Sequence, residues 1–101
     1  MRAYGFGEGT RGFIEIDNEL KALQDYVGGY IETVGLRNGL ILICNEEGKI
    51  KNLPYRAFCL PIKQFITGNF LVVRAYGDEF CDLRKDDEKL IEETFKDMNE
   101  I

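Results

Sequence analysis

Histidine, cysteine and the carboxylates are the side chains best suited to chemistry, and their pattern here argues against a catalytic centre. The 101 residues include no histidine, which removes the commonest general base, the commonest zinc ligand and any Ser-His or Cys-His nucleophile pair. Carboxylates in predicted turns, such as Glu47 and Asp78, remain acid–base candidates, but no spacing among them demands a shared site. The sequence therefore predicts a protein that is not an enzyme.

The three cysteines, Cys44, Cys59 and Cys81, are odd in number and widely spaced, and none forms a Cys-x-x-Cys pair. This pattern argues against a disulfide framework and against a zinc site. Each cysteine lies in or beside an apolar segment, where a thiol usually behaves as a small buried hydrophobe with a raised pKa. We expect structural cysteines in a reducing cytoplasm, with no metal and no cofactor.

Residues 7–12 match the pattern G-x-G-x-x-G, which in dinucleotide-binding proteins brings the backbone close to a pyrophosphate. Such a site needs a full strand before the glycines and a helix directly after them. Here only six residues precede the motif, and the β-rich residues 12–16 follow it. We expect residues 1–11 to form a flexible or turn-forming N-terminus.

Thirteen basic and 18 acidic residues give a net charge of −5, and the excess lies at the C-terminus. Residues 82–101 contain eight acidic and four basic side chains. This balance disfavours direct binding to a phosphate backbone. It predicts an amphipathic helix beginning near Asp86, with acids in its first turn. The apolar face of this helix would carry Leu90, Ile91, Phe95 and Met98.

The acidic face of this helix has two readings. It is either the solvated side of an amphipathic helix, or a surface that mimics nucleic acid and docks on a basic protein through residues such as Glu88 and Glu92. Charge pattern alone leaves both readings open.

Apolar residues spaced by three and four predict an earlier helix over residues 18–27. Asp17-Asn18 would cap its N-terminus, and Gly28-Gly29 would end it. Two β-forming segments follow, residues 30–36 and 40–44. They flank Asn38-Gly39, a dipeptide that tolerates the positive φ angles of a type I′ turn, so they predict an antiparallel hairpin.

The second half of the chain is predicted less completely. Residues 45–48 read as a turn and residues 49–53 as another strand. Residues 55–67 have no assignment, because Pro61 forbids a regular interior there. Residues 69–75 are apolar on both faces and predict a central, buried strand, after which Gly77-Asp78 turns the chain.

These elements predict one α+β domain over residues 1–101, a mixed or antiparallel sheet of about five strands with two helices packed on it. The chain has 45% hydrophobic residues, enough for one core. It shows neither a signal-peptide pattern nor a run of about 20 apolar residues. We therefore expect a cytoplasmic protein that is neither exported nor inserted in a membrane.

Most of the chain from about residue 14 onward resembles an uncharacterised family. The family is a domain of unknown function common in bacteriophages, plasmids and conjugative elements, sometimes beside or fused to antirestriction-type proteins. The resemblance rests on residues 20–32, 44–48 and 66–73, on Leu53-Pro54, and on the acidic C-terminal helix. Members often carry an asparagine and an arginine after Leu-Pro, whereas this chain keeps only Arg56. The resemblance implies no catalytic residues.

The family-like segments suggest one candidate site for a ligand or a partner. Five side chains would converge on a rim of the sheet: Tyr30, Glu32, Asn45, Glu46 and Arg56. The alternative explanation of the same residues is close backbone approach around Gly28-Gly29.

Three functions from different classes remain, and the mobile-element setting implied by the resemblance ranks them. The first is an anti-defence protein of a phage or mobile element that inhibits a host protein, such as a nucleic-acid-binding defence factor, by stoichiometric docking. The second sequesters a small nucleotide or signalling molecule in a pocket lined by Tyr and Arg, which a homo-oligomer would help to complete. The third is a small enzyme that uses carboxylates or a lone cysteine.

Overall fold

In the computed structural model, which describes residues 1–97, the chain forms two antiparallel sheets and two helices. The elements in chain order are β1 (Arg2–Gly7), β2 (Thr10–Glu15), α1 (Leu20–Val27), β3 (Ile31–Gly35), β4 (Leu40–Asn45), β5 (Tyr55–Cys59), β6 (Gln64–Thr67), β7 (Phe70–Tyr76), β8 (Glu79–Cys81), α2 (Asp87–Thr94) and β9 (Phe95–Lys96). The predicted α+β class is confirmed. The prediction of about five strands was too low, because the described residues contain nine.

The large sheet has the strand order β2-β1-β7-β4-β3, and β8 pairs with the far end of β7. Helix α1 packs on one face through Leu23 and Val27, against Leu71 and Val73 of β7. The small sheet, ordered β6-β5-β9, and helix α2 cover the other face. Both faces of β7 are therefore buried along its first four residues, which confirms the predicted central strand and explains the apolar run of residues 70–73.

Helix α1 ends as predicted and begins differently. Gly28 has a left-handed φ of 81°, and its N–H and that of Gly29 donate to the Gln24 carbonyl at 2.8 and 3.1 Å. The predicted cap by Asp17-Asn18 was wrong. The residue before the helix is Glu19, which makes no capping side-chain bond, and Asn18 Nδ2 instead donates to the Phe80 carbonyl.

The predicted hairpin is confirmed as β3 and β4, paired from Ile31 with Asn45 to Gly35 with Ile41. Asn38 and Gly39 in the turn have φ angles of 59° and 79°. These are the left-handed values that the dipeptide favours.

The strand predicted over residues 49–53 was wrong, because these residues satisfy their backbone groups locally. Lys51 N–H donates to Glu47 O, Asn52 N–H to Lys49 O and Leu53 N–H to Gly48 O. Asn52 has a φ of 54°. This pattern is one helical turn closed by a Schellman-type bond, so its carbonyls and N–H groups are not free to join a sheet.

Three of the additional strands come from segments that the sequence analysis left without a strand. The glycine-rich start forms β1, which lies between β2 and β7, and the turn Glu8–Gly9 leads into β2. A Cβ on Gly5 would overlap the Tyr26 hydroxyl, so glycine lets α1 approach this strand closely. Residues 55–67 form the β5–β6 hairpin.

The C-terminal helix is shorter than predicted. Phe95 was expected on its apolar face but begins β9, where it pairs with Cys59, and the Thr94 carbonyl accepts the Leu60 N–H. The helix ends there because β5 offers these residues a strand partner. Met98 lies outside the described residues. Within residues 1–97, neither helix is long and apolar enough to cross a membrane.

Candidate functional site

Asn45, at the end of β4, joins three segments of chain. Its side chain is buried, with Nδ2 donating to the Val27 carbonyl at 3.0 Å and Oδ1 accepting the Glu47 N–H at 2.8 Å. The neighbouring Glu46 N–H donates to the Tyr30 carbonyl at 2.9 Å. These bonds fix residues 46–54, which we call the rim loop, against the end of α1 and the start of β3.

The rim loop, β3 and the residue before β3 present exposed side chains that we call the rim: Tyr30, Glu32, Glu46 and Ile50. Tyr30 is 68% exposed and Ile50 is 79% exposed. Antiparallel pairing of Ile31 with Asn45 brings Glu32, Asn45 and Glu46 to one cleft, whereas the Tyr30 side chain lines a neighbouring depression. Ile50 was missed, although an apolar residue between two lysines in a turn region was the available signal.

A cleft lies where the two sheets part. Glu32 and Cys44 line it from the large sheet, Phe65 lines it from the small sheet, and Glu46 and Ile50 line it from the rim loop. Its volume is about 170 Å³, which is below the range of about 300–1,000 Å³ typical of ligand pockets. The cleft is therefore better suited to receive a side chain than to enclose a nucleotide.

The Cys44 thiol in this cleft is held in its protonated form. Burial, and to a lesser extent the Glu32 carboxylate, raise its pKa to about 11. Its Sγ lies 3.9 Å from Glu32 Oε1. Because the thiolate is the nucleophilic form, Cys44 is an inert, structural cysteine at neutral pH.

Arg56 does not share this cleft. It lines a separate depression of about 250 Å³ with Asp25, Tyr26 and Asn69, and its Nη2 donates to Asn69 Oδ1 at 3.2 Å. Burial raises the pKa of Tyr26, and the charge of Arg56 partly offsets that increase. Arg56 Nε is buried and has no hydrogen-bond partner among the described residues.

Tyr30 lines a third depression, of about 380 Å³, with Lys21, Glu47 and Lys51. Arg56 is not among the residues that line it. Tyr30 and Arg56 therefore lie in different depressions, whereas Tyr26 shares one with Arg56.

The acidic helix α2 carries two kinds of carboxylate. Glu88 and Glu92 are exposed, and their charges contribute, after burial, to raising the pKa of the buried Tyr4 hydroxyl. Asp87, which the sequence places among the solvated acids of the first turn, is instead 4% exposed. Its two oxygens accept from Arg74 Nε and Nη2 at 2.8 and 2.7 Å.

Asp87 also accepts the Arg84 N–H at 2.8 Å. The hydrogen bonds from Arg74 are the main reason that the pKa of Asp87 is lowered. Asp87 thus fixes the start of α2 against β7, while Glu88 and Glu92 remain on the surface, away from the rim. Across residues 1–97, no group of three or more His, Cys, Asp or Glu side chains could hold a metal ion.

The fold and the rim define a two-sheet α+β protein whose candidate site is a fixed surface loop. The chain belongs to the DUF3846 family, a domain of unknown function, whose family model matches residues 3–96. The family resemblance read from the sequence is confirmed to that extent. No curated protein and no solved structure matches the chain.

The residues that carry the family resemblance meet around the rim loop. A Cβ on Gly48 would overlap Thr67 Oγ1, and one on Gly68 would lie 2.7 Å from Leu53 Cδ1. Gly68 has a φ of 73°, and its N–H donates to the Pro54 carbonyl at 2.7 Å. The glycines therefore permit close backbone approach, and this approach holds the rim loop in place.

Proposed function

We propose that the chain is a non-enzymatic, cytoplasmic binding protein of a phage or mobile element that acts against host defence. It would inhibit a host protein by stoichiometric docking through the rim. The observation that carries this proposal is the exposure of Tyr30 and Ile50 on backbone that buried hydrogen bonds fix.

Large apolar side chains on a fixed loop are suited to protein binding. Exposed aromatic and aliphatic residues that fill pockets on a partner supply much of the binding energy at interfaces. A loop held by Asn45 and by its own helical turn loses little further conformational freedom on association. The cleft beside Ile50 would receive one side chain of the partner.

Charge at the rim suggests the kind of partner. The carboxylates of Glu32 and Glu46 border the cleft together with the Lys49 side chain. Complementary charges steer association and suppress wrong partners. A partner with basic side chains, such as a nucleic-acid-binding defence factor, fits these two acids.

The α2 surface is a second candidate for docking on a basic protein. Glu88 and Glu92 are exposed, and within the described part of the chain neither belongs to an ion pair.

Affinity capture from a bacterial host lysate with matched baits would test the proposal. The Tyr30→Ala/Ile50→Ala variant should lose a host protein that the wild type retains. The control is Tyr76→Ala, which removes a ring that is 84% exposed at the opposite end of the large sheet, and it should retain that protein. Loss only with Glu88→Lys/Glu92→Lys would transfer the site to α2. Equal retention by all baits would refute docking at either surface.

A further inference from the structure

Three aromatic side chains form a row on the small sheet, on the face that points away from the large sheet. Phe58 and Phe65 are direct partners across β5 and β6, with ring centroids 5.0 Å apart, and the Tyr55 ring lies 5.2 Å from that of Phe65. Ala57 and Cys59, which alternate with Phe58 along β5, are buried between the sheets. In the described part of the chain, neither core cluster includes any ring of the row. We call this row the aromatic face.

The aromatic face belongs to a part of the chain without acids. Residues 48–77 contain no aspartate or glutamate and have five basic side chains, of which Arg74 is paired with Asp87 of α2. Lys49 lines one depression with Tyr55 and another with Phe65. Two more lysines flank the face.

The positions of these two lysines follow from strand pairing. Lys96 of β9 lies directly opposite Phe58, so both side chains emerge on the same side of the sheet. Lys63 lies in the turn that closes the β5–β6 hairpin and is exposed. Lys96 and Phe58 therefore share one surface of the small sheet, and Lys63 lies in the turn at the end of that sheet.

Aromatic rings flanked by cations are suited to a ligand with both flat apolar groups and regularly spaced anions. Single-stranded nucleic acid has this chemistry, because its unpaired bases stack on aromatic rings while its phosphates contact lysines. A duplex hides its bases from such a surface, and an acidic peptide offers charge without flat rings.

We propose that the aromatic face binds single-stranded nucleic acid without sequence preference. Bases stack on Tyr55 and Phe65, and Lys49, Lys63 and Lys96 contact the phosphates. This activity goes beyond docking of a protein at the rim. The expectation that direct binding to phosphates is disfavoured came from the net charge of the whole chain. It does not apply to the local charge of the aromatic face.

The distribution of charge limits the part of the surface to which the nucleic acid strand can bind. Glu32 and Glu46 lie across the cleft from Phe65, and the acids of α2 precede β9 at the other edge of the small sheet. These carboxylates repel phosphates, so the bound strand is confined to the small sheet. We expect weak binding that depends strongly on salt.

Fluorescence anisotropy with a labelled oligothymidylate at low salt tests the proposal. For contacts to about three phosphates, the logarithm of the association constant should fall with the logarithm of salt concentration with a slope of about −2. Tyr55→Ala should weaken binding about fivefold or more through lost stacking. Lys63→Glu and Lys96→Glu should also weaken binding, and a duplex of equal length should bind less well than the single strand.

Two variants serve as matched controls. Lys89→Glu makes the same change in net charge on α2, and Tyr76→Ala removes another exposed ring, so both should bind like the wild type. The Tyr30→Ala/Ile50→Ala variant should also bind the oligonucleotide, which separates this proposal from docking at the rim. Circular dichroism checks that Tyr55→Ala, whose native ring is 57% exposed, is folded.

Four results would overturn the proposal. They are no binding of the oligonucleotide by folded protein at low salt, equal weakening by Lys89→Glu and Lys63→Glu, preference for a polyglutamate peptide, and preference for the duplex. Self-association that Lys63→Glu abolishes, without oligonucleotide binding, would instead assign the face to a second copy of the chain.

Discussion

Asn45 is the residue on which the geometry of the rim depends. Its amide is buried, and both of its polar atoms are used within the chain. From the sequence, Asn45 was predicted to contact a ligand or a partner. The structure shows that it holds the rim loop, with Tyr30 and Ile50 as the exposed groups that it positions.

Replacement of Asn45 by alanine should lower the free energy of unfolding by about 1–3 kcal/mol, because it removes two hydrogen bonds and leaves buried backbone groups without partners. Urea unfolding would measure this loss. The control is Glu46→Ala, which keeps the backbone bond from Glu46 to Tyr30 and should change stability little. Equal urea midpoints for the two variants would contradict the role of Asn45.

Asp87 is the residue that departs furthest from its sequence-based interpretation. Its side chain is 6% exposed and that of its partner Arg74 is 17% exposed. Removal of one partner from a buried pair leaves the other charge uncompensated, so Asp87→Asn should cost about 3 kcal/mol at neutral pH. Thermal unfolding of the two proteins would measure the difference.

The pH dependence of this loss follows from the lowered pKa of Asp87 in the folded state. The ionised carboxylate contributes stability that is fully present above the unfolded pKa of about 4 and is lost as the pH falls through the folded pKa. The stability difference between wild type and Asp87→Asn should therefore shrink in acid. A difference that stays constant from neutral pH to below pH 4 would contradict the ion pair.

At the scale of the elements, the rim loop depends on glycine where two backbones meet. A Cβ on Gly48 would overlap Thr67 Oγ1 and lie 3.1 Å from the Thr67 carbonyl oxygen. Gly48→Ala should therefore lower the free energy of unfolding by about 1–3 kcal/mol. In β3, a Cβ on Gly35 would meet nothing within 4 Å. Gly35→Ala should be neutral or slightly stabilising, since it restricts the unfolded chain.

Melting temperatures of Gly48→Ala and Gly35→Ala would test this contrast, with wild type beside them. Equal effects of the two substitutions would show that close approach to Thr67 does not constrain the loop. A Gly48→Ala variant with the melting temperature of the wild type would show the same.

The elements with strong local signals were predictable. The left-handed glycine after α1, the Asn38-Gly39 turn and the apolar run of β7 each depend on neighbouring residues alone. Strands β5, β6 and β9 depend on pairing between distant segments, such as Phe58 with Lys96. Residues 49–53 of the rim loop were wrongly predicted as a strand, whereas Asn52 and local hydrogen bonds determine their fold.

The candidate site was predictable where its residues lie close together along the chain, and not where it depends on distant segments. Glu32 lies in the predicted hairpin, and Asn45 and Glu46 follow it directly, so the proximity of these three residues followed from the sequence. Arg56 lies at the register shift between Tyr55 and Ala57, and no local pattern indicated the direction of its side chain. The burial of Asp87 could not be read from α2 alone, because it requires Arg74 of β7.

At the scale of the whole molecule, charge is segregated although the net value is only moderately negative. Acids border the rim and cover α2, whereas residues 48–77 are basic and free of acids. The two proposed partners bind surfaces of opposite charge. The host protein docks at the acidic rim, and the nucleic acid strand binds to the basic small sheet. Net charge alone describes neither surface.

The central claim is that the chain acts by binding and not by turnover, and a titration tests it most directly. The chain would be added in steps to a host protein first isolated by capture, while the activity of that host protein is measured. Docking predicts that inhibition grows linearly and is complete at an equimolar amount of chain, and that Tyr30→Ala/Ile50→Ala gives none. If a small fraction of an equimolar amount of chain inhibited the host protein completely, and the inhibition increased with time, the chain would be a catalyst and binding alone would be refuted.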